Sequence, residues 1–325
     1  MKLWGVAMVR DEADIIEAFV RHNLTVVDGL AIIDHSSSDG TGEILAALTA
    51  EGLPLRTTVE RDANFRQSAV ITRMAREVFT ACDPDYIFLL DADEFLKVPS
   101  RARLEALLAP LPPEVHAVQS WQSYVPDFAH EHDTISLLKS ARRAPPPQPA
   151  VSKAVVSRHF LHSPTLIAEG NHLVLRAVGA ESYPIVRHAP LSQEECAIAH
   201  VPVRSAAQFS AKIAVGWLSC LMQPGRSEDL SYHWRDAFAL LRSGRQLTPE
   251  LLTAIAANYG APDVQRFESA TVELIDDPFL AEFSNRHDDV GRTDALALVL
   301  RYAERLARQV GGRGANAAKL PWGLR

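Results

Sequence analysis

The chain has 325 residues, room for one large or two ordinary domains, and its 47% hydrophobic and 22% charged content places it with globular folds, not disordered or fibrous ones. A formal charge of −7 excludes a general nucleic-acid binder, whose phosphate contacts need a basic surface, and leaves a small or weakly charged partner. Three scattered cysteines, Cys82, Cys196 and Cys220, make no C-x-x-C pair and no disulfide framework, which fits a reducing compartment.

Residues 3–9, LWGVAMV, form a continuous apolar run suited to a strand buried on both faces. The run is short for a signal-peptide core and lacks a cleavage site, and no run in the chain reaches the roughly 18 to 20 apolar residues of a membrane span. Membrane contact is therefore expected to be peripheral at most. A helix follows, with Asp11 as its expected cap, Asp14 in its first turn, Ile15, Phe19 and Val20 at helical spacing, and Asp28-Gly29 as its stop. A second strand over 30–33 ends at Asp34, and the polar turn from Asp34 to Thr41 opens another helix. A third strand over 55–59, a helix over 66–81 and a fourth strand over 86–90 complete an alternation that predicts a parallel sheet with right-handed crossovers.

Past Pro99 the pattern gives a short helix, RLEALLA, and a strand over 115–124. Residues 125–150, with AHEHD and the proline-rich APPPQPA, read as an exposed loop or flap. Short strands in VSKAVVS, NHLVLRA and AIAHVPV precede helical patterns from about 205 to 308, and the final GGRGANAAKLPWGLR reads as frayed. There is no repeat at a solenoid period.

In an open parallel sheet ligands bind beyond the carboxyl ends of the strands. Those positions are acidic here: Arg10-Asp11-Glu12 after the first strand, Asp34 after the second, and Asp91-Ala-Asp93-Glu94 after the fourth. Neither G-x-G-x-x-G after the first strand nor a P-loop occurs. A second D-x-D, Asp83-Pro-Asp85, reads as a turn, whereas Asp91 and Asp93 follow an apolar strand. Clustered carboxylates repel unless a cation bridges them, and hard divalent ions such as Mg²⁺ or Mn²⁺ take such oxygens and bridge to phosphates. The bland alternatives are that Asp91 and Asp93 cap the next turn facing water and that Asp34 holds a capped turn.

The segments VRDEADIIEAFVRHNL, GLAIIDHSSSDGT and DYIFLLDADEF together resemble the glycosyltransferase family 2 superfamily with the GT-A fold, and in particular a branch with a K-N-E opening, D-x-S-x-D-G-T and D-x-D-E. Arg10-Asp11-Glu12 replaces K-N-E, and His35 follows Asp34. The likeness covers 4–98 and continues more loosely through Lys153, Gly170-Asn-His172 and residues 199–212. It implies an α/β, GT-A-like sheet over 1–204 (nucleotide-sugar half 1–98, acceptor half 99–204) and a helical extension over 205–325. It also implies a metal-dependent, inverting transfer from a nucleotide-diphosphate sugar, a UDP-sugar for preference, to a carbohydrate or lipid-linked acceptor. Glu12, Asp34, Arg66, Gln67, Asp91 and Lys153 would bind the donor. Asp91 and Asp93, with His172 and His200, would hold Mn²⁺ or Mg²⁺. Glu169 is the preferred base over Glu194 and Glu195, and Arg204 and Lys212 are further cations for the diphosphate. A cytoplasmic enzyme, membrane-peripheral at most, is implied, with homo-oligomerisation left open.

Two other classes share parts of this pattern. Haloacid-dehalogenase-type phosphatases also place D-x-D after a strand, but after the first one and followed by Thr or Val. A non-catalytic GT-A-like module would bind the nucleotide sugar without turning it over. His130-Glu-His132-Asp133 sits beside a proline run, not at helical spacing, and reads as acceptor-side loop or surface. The basic residues Arg301, Arg305 and Arg308, followed by Lys319, Trp322 and Arg325, read as a solvated helix face, with anionic lipid as the alternative.

Overall fold

β1 (Leu3–Val9) is buried along its length and divides its side chains between two cores, Leu3, Ala7 and Val9 on one face and Trp4, Val6 and Met8 on the other. The computed structural model describes residues 1–62, 66–130, 133–146, 151–178, 183–223, 232–261, 267, 272–287 and 294–317. β1 runs parallel to β2 (Gly29–Asp34) and to β4 (Tyr86–Leu90), and β2 runs parallel to β3 (Leu55–Val59). The crossovers are α1 (Ile16–Asn23), α2 (Thr41–Ala50) and α3 (Gln67–Cys82). Phe19, Ile44 and Leu48 cover one face, and Ile71, Met74 and Phe79 of α3 cover the other. Burial on both sides is what makes the strands continuous apolar runs.

After β4 the simple alternation ends. β5 (Glu94–Lys97) follows at once, then α4 (Arg101–Leu108) and β6 (His116–Val125). β8 (Ser152–Ser157) lies antiparallel between β4 and β6, and β12 (Ala197–His200) runs parallel to β6 and antiparallel to β5. The sheet order is β3-β2-β1-β4-β8-β6-β12-β5. The carboxyl ends of β1, β2, β4, β6 and β12 thus share one edge. β7 (Arg142–Arg143) and β11 (His188–Pro190) are short additions to β6, and β9 (Thr165–Ile167) and β10 (Val174–Arg176) form a separate hairpin. α6 (Ala206–Leu221), α7 (Tyr232–Arg242) and α8 (Pro249–Ala257) build a further core around Phe209, Ile213, Leu252 and Ile255, and α9 (Ala295–Ala317) packs on α6 through Tyr302 and Leu306. This is the α/β class expected from the sequence, with its helical C-terminal region. Among the described residues no helix is long and apolar enough to cross a membrane.

Several local expectations are corrected. Asp11 does not cap α1: it has a left-handed φ of 53° and its Oδ1 accepts from the Ser38 N–H, while α1 starts at Ile16 without a side-chain cap. α1 ends at Asn23, ahead of Asp28-Gly29, because the Asn23 amide binds the carbonyls of Phe19 and Glu94 and ties the helix end to β5. Residues 125–150 are not simply an exposed flap. They contain α5 (Thr134–Ser140) and β7, with Leu138, Ala141 and Ala144 buried. Glu131, His132 and 147–150 lie outside the described residues. Between α8 and α9 the described residues form no α-helix, and Ile275 bridges to Arg143 instead. α9 runs on to Ala317, so the GGRGANA part of the C-terminal stretch is helical, and Lys319, Trp322 and Arg325 lie outside the described residues.

Candidate functional site

A cavity of about 250 Å³ opens along the shared carboxyl edge. Its walls include Arg10 and Glu12 after β1, His35 after β2, Asp91 and Asp93 after β4, and His200 at the end of β12. α6 to α9 close the other side, with Lys212, Ser219, Trp234, Tyr259 and Leu298.

The loop that carries Glu12 is held by the turn that follows β2. Ser37 Oγ accepts from the Asp11 N–H at 2.9 Å, Thr41 Oγ1 from the Glu12 N–H at 2.9 Å, and Asp39 Oδ2 from the Ala13 N–H at 2.9 Å. Asp39 Oδ1 in turn fixes the Thr41 N–H and hydroxyl. Asp34 Oδ1 accepts from both the backbone N–H and the hydroxyl of Ser37, at 2.8 and 2.6 Å. These are the bonds of an Asx-type turn, and Asp34 does not line the cavity. His35 does; its ring stands against Arg10, and Nε2–H donates to the Asp62 carbonyl at 2.5 Å. Burial, then the Arg10 charge, pushes His35 down to about 3.

Behind this loop lies a buried ionic cluster. Arg204 bonds Glu12 and holds Asp14 at 2.6 Å. Lys212 sits on Asp93 Oδ2 and stands 3.8 Å from Glu12. Lys153, only 1% exposed, contacts Asp91 Oδ2 at 2.5 Å and Glu94 Oε1 at 3.3 Å. Glu94 also accepts from the Asp91 N–H at 2.8 Å and from Trp121 Nε1 at 2.6 Å. Five carboxylates thus meet three cations. Burial raises Glu94 to about 8 against the pull of Lys153, and Glu12 to about 7 against Arg204 and Lys212. At Asp93 burial also works upward, but the Lys212 ammonium in contact with it, together with Arg204, outweighs burial and holds the carboxyl below its ordinary range.

The same region offers ligands for a divalent ion. His200 Nε2 lies 3.7 Å from Asp93 Oδ2, too far for a hydrogen bond yet within the span of about 4.2 Å that two ligands of one ion at about 2.1 Å can reach. His200 Nδ1 is buried without a partner, and burial lowers this imidazole to about 4, so it stays neutral as a ligand must. The residues therefore fit such an ion, with Lys212 sharing the Asp93 oxygen. His172 lines the cavity with Nδ1 on the Ser152 carbonyl at 2.7 Å. Among the described residues the one group of three or more such side chains with converging ligand atoms is Glu17, Glu51 and His287, whose carboxylates are taken up by Arg21 and the backbone N–H groups of Arg286 and His287.

Of the residues expected from sequence, Glu12, Gln67, Asp91, Asp93, Lys153, Glu169, His172, His200 and Lys212 all line the cavity. Gln67, at the start of α3, accepts from the Gly170 N–H at 2.8 Å and holds the turn that presents Glu169. Gly170 has a φ of +75°, and a Cβ there would land on His172 Nε2. Glu169 Oε1 accepts from the Ser68 N–H at 3.4 Å. Arg66 is exposed, 3.7 Å from Asp62, and does not line the cavity. Arg204 contributes through Glu12 and Asp14. Glu195 pairs with Arg103, and neither it nor Glu194 lines the cavity. His130 is exposed on Asp127. Arg301 and Arg305 reach the turn after β2, on Ser38 Oγ and the Ser36 carbonyl. Missed by sequence reasoning were Trp121, stacked on His200 at 4.1 Å, and His233, Trp234, Tyr259 and Ser219. For His233, Trp234 and Tyr259 the only sequence signal was aromatic residues within otherwise ordinary helical patterns; Trp121 lies on the predicted strand over 115–124, and Ser219 carried no signal.

No family model matches the chain, and no curated protein does. Among solved structures it is similar to a mannosyltransferase from Pyrobaculum calidifontis in complex with GDP-Man and Mn²⁺, at 16% identity over 79% of each chain with a TM-score of 0.37. It is similar to glucosyl-3-phosphoglycerate synthase from Mycobacterium tuberculosis in complex with Mn²⁺ and UDP-glucose, at 15% identity over 69% of this chain and 80% of that one, with a TM-score of 0.31. A putative glucose-1-phosphate thymidylyltransferase from Bacillus anthracis matches at 9% identity over 69% and 98%, with a TM-score of 0.34.

Proposed function

We propose that the chain is a glycosyltransferase that moves a sugar from a nucleoside-diphosphate sugar, a UDP-sugar for preference, to a hydroxyl of a carbohydrate or lipid-linked acceptor, with inversion at the anomeric carbon. The observation that carries this reading is the gathering of Asp91, Asp93, Lys153, Lys212 and His200 in one cavity at the carboxyl ends of the parallel strands, where such sheets bind their ligands. The resemblance of 4–98 to GT-A glycosyltransferases points the same way.

Asp93 and His200, with Asp91 and His172 nearby, would hold Mn²⁺ or Mg²⁺, which when bound supplies Lewis-acid charge to a departing diphosphate. Lys153 and Lys212 bring two ammonium groups into the same cavity, where oxygens of a diphosphate can share them with the carboxylates. Glu12 supports the nucleotide end beside Arg10 and His35, and Asp34 acts through the turn it fixes. Glu169 is read as the base: it takes the acceptor's proton as the bond from that oxygen to the sugar carbon forms and the bond to diphosphate breaks. The sheet part, 1–204, and the helical part from 205 form one catalytic unit in this reading. A cytoplasmic, at most membrane-peripheral, location accords with it.

The test is a thermal-shift panel of UDP- and GDP-sugars with and without Mn²⁺, because a ligand that binds only the folded chain raises its melting temperature. A Mn²⁺-dependent rise with one nucleotide sugar, followed by release of its nucleoside diphosphate, is expected. No shift with any nucleotide in the presence of Mn²⁺ would sink the reading.

A further inference from the structure

The order of strands lays the cavity out as a line. His35 stands at the end of β2, Asp91 and Asp93 after β4, and Trp121 and His200 on β6 and β12, so the acidic pair lies between two ends. If the donor's nucleoside lies toward β2 and its diphosphate meets Asp91 and Asp93, the attacking hydroxyl comes from the β6–β12 end. At that end the wall is aromatic and belongs to the helical part. Tyr259 meets His200 edge-to-face at 5.3 Å, His233 meets Tyr259 at 6.2 Å, and Trp234 meets His233 at 5.7 Å. Tyr259, His233 and Trp234 are half-buried and all three line the cavity. Tyr259 and Trp234 pack on the α6–α8 core, which fixes the rings in place.

Trp234 reaches its position because α6 carries Gly216 beneath it: a Cβ there would come within 3.0 Å of the indole Cε3. An aromatic ring fixed at a cavity wall, with polar groups close by, suits a ligand that has an apolar face and a polar rim. A pyranose ring is such a ligand, with C–H groups on its faces and hydroxyls around its edge.

We infer that Tyr259, Trp234 and His233 form the acceptor subsite and that it receives a pyranose unit face-on, so that the acceptor is a saccharide or carries one at its reacting end. This rests on the glycosyltransferase reading above and narrows its acceptor class.

The experiment is saturation-transfer NMR on the full chain with methyl glucopyranoside, mannopyranoside and galactopyranoside, in the presence of Mn²⁺ with UDP or GDP. Parallel titrations measure nucleoside-diphosphate affinity. At least one glycoside should show transfer to its ring C–H protons. Tyr259→Leu, which keeps apolar bulk, and Trp234→Ala should weaken its binding about tenfold, whereas Tyr259→Phe keeps it. Nucleoside-diphosphate affinity should stay within about twofold in all three, which also verifies that the variants are folded. The inference is overturned if no glycoside binds the wild type, if binding is equal in Tyr259→Leu and Trp234→Ala, or if these variants weaken the nucleotide instead, which would make the wall a nucleobase site. A wild type that binds neither UDP nor GDP would fail the underlying reading as a whole, whereas normal nucleotide binding with an unaltered glycoside response rejects the subsite alone.

Discussion

Lys212 of α6 places its ammonium on Asp93, a residue 119 positions earlier in the chain and 1% exposed. Removing one partner of a buried ion pair leaves the other charge unpaired, which costs about 3 to 5 kcal/mol. Lys212→Met should therefore lower the unfolding free energy by that order, and the double variant Lys212→Met/Asp93→Asn should recover much of the loss. A urea double-mutant cycle measures this, and simple additivity of the two changes would show that the pair is not coupled.

Asp93 and His200 are also the pair spaced for a shared ion. Asp93→Asn and His200→Ala should each weaken Mn²⁺ binding by more than about tenfold, read by electron paramagnetic resonance of free Mn²⁺ or by calorimetry. Undiminished Mn²⁺ affinity in Asp93→Asn would place the ion elsewhere. The same variant should lose Mn²⁺-dependent hydrolysis of the donor.

Gly170 combines a φ of +75° with a neighbour, His172, in the path of any side chain. Gly170→Ala should cost about 1 to 3 kcal/mol from the left-handed conformation alone. It should also displace the His172 ring and loosen the Gln67 bond that positions Glu169. Turnover is then expected to fall more than donor affinity does. Equal turnover in this variant would show that the turn has no part in placing Glu169 as the proposed base.

His22 is buried with both ring nitrogens engaged: Nε2–H donates to the Leu96 carbonyl at 2.9 Å and Nδ1 accepts from the Ala281 N–H at 3.1 Å. Burial, against the Leu96 bond, lowers it to about 4, while the unfolded imidazole titrates near 6.5. Its contribution to stability is complete above about pH 6.5. Below that, the unfolded chain takes up a proton that the folded chain refuses until about pH 4, so stability falls by up to about 3 kcal/mol across the window. Urea midpoints between pH 7 and 4 should drop less steeply for His22→Gln than for the wild type. Parallel profiles would remove His22 from the account.

The first half of the fold was legible because local rules and tertiary context agree there. Apolar runs for β1 and β4, together with the helical periods of α2 and α3, predict a parallel sheet, and Asp91 and Asp93 fall at its carboxyl edge as their position after β4 implies. The second half depends on pairings that no local pattern encodes. β5 is four residues long and makes sense only against β12, about a hundred residues later. The Asp34 turn reads equally as ligand site or as scaffold until its bonds to Ser37 are seen. Tyr259 and Trp234 were hidden for a different reason: in sequence an aromatic residue at helical spacing looks the same whether its ring faces a core or a cavity.

The sheet does not own its own chemistry. Glu12 and Asp93 are neutralised by Arg204, at the foot of α6, and by Lys212, in its second turn, so a fragment stopped at the last strand would lose both cations that these carboxylates meet. A minimal version of this protein, or a chimera that borrows its strands, must therefore carry α6 along; the helix belongs to the electrostatic foundation of the cavity as much as to its roof.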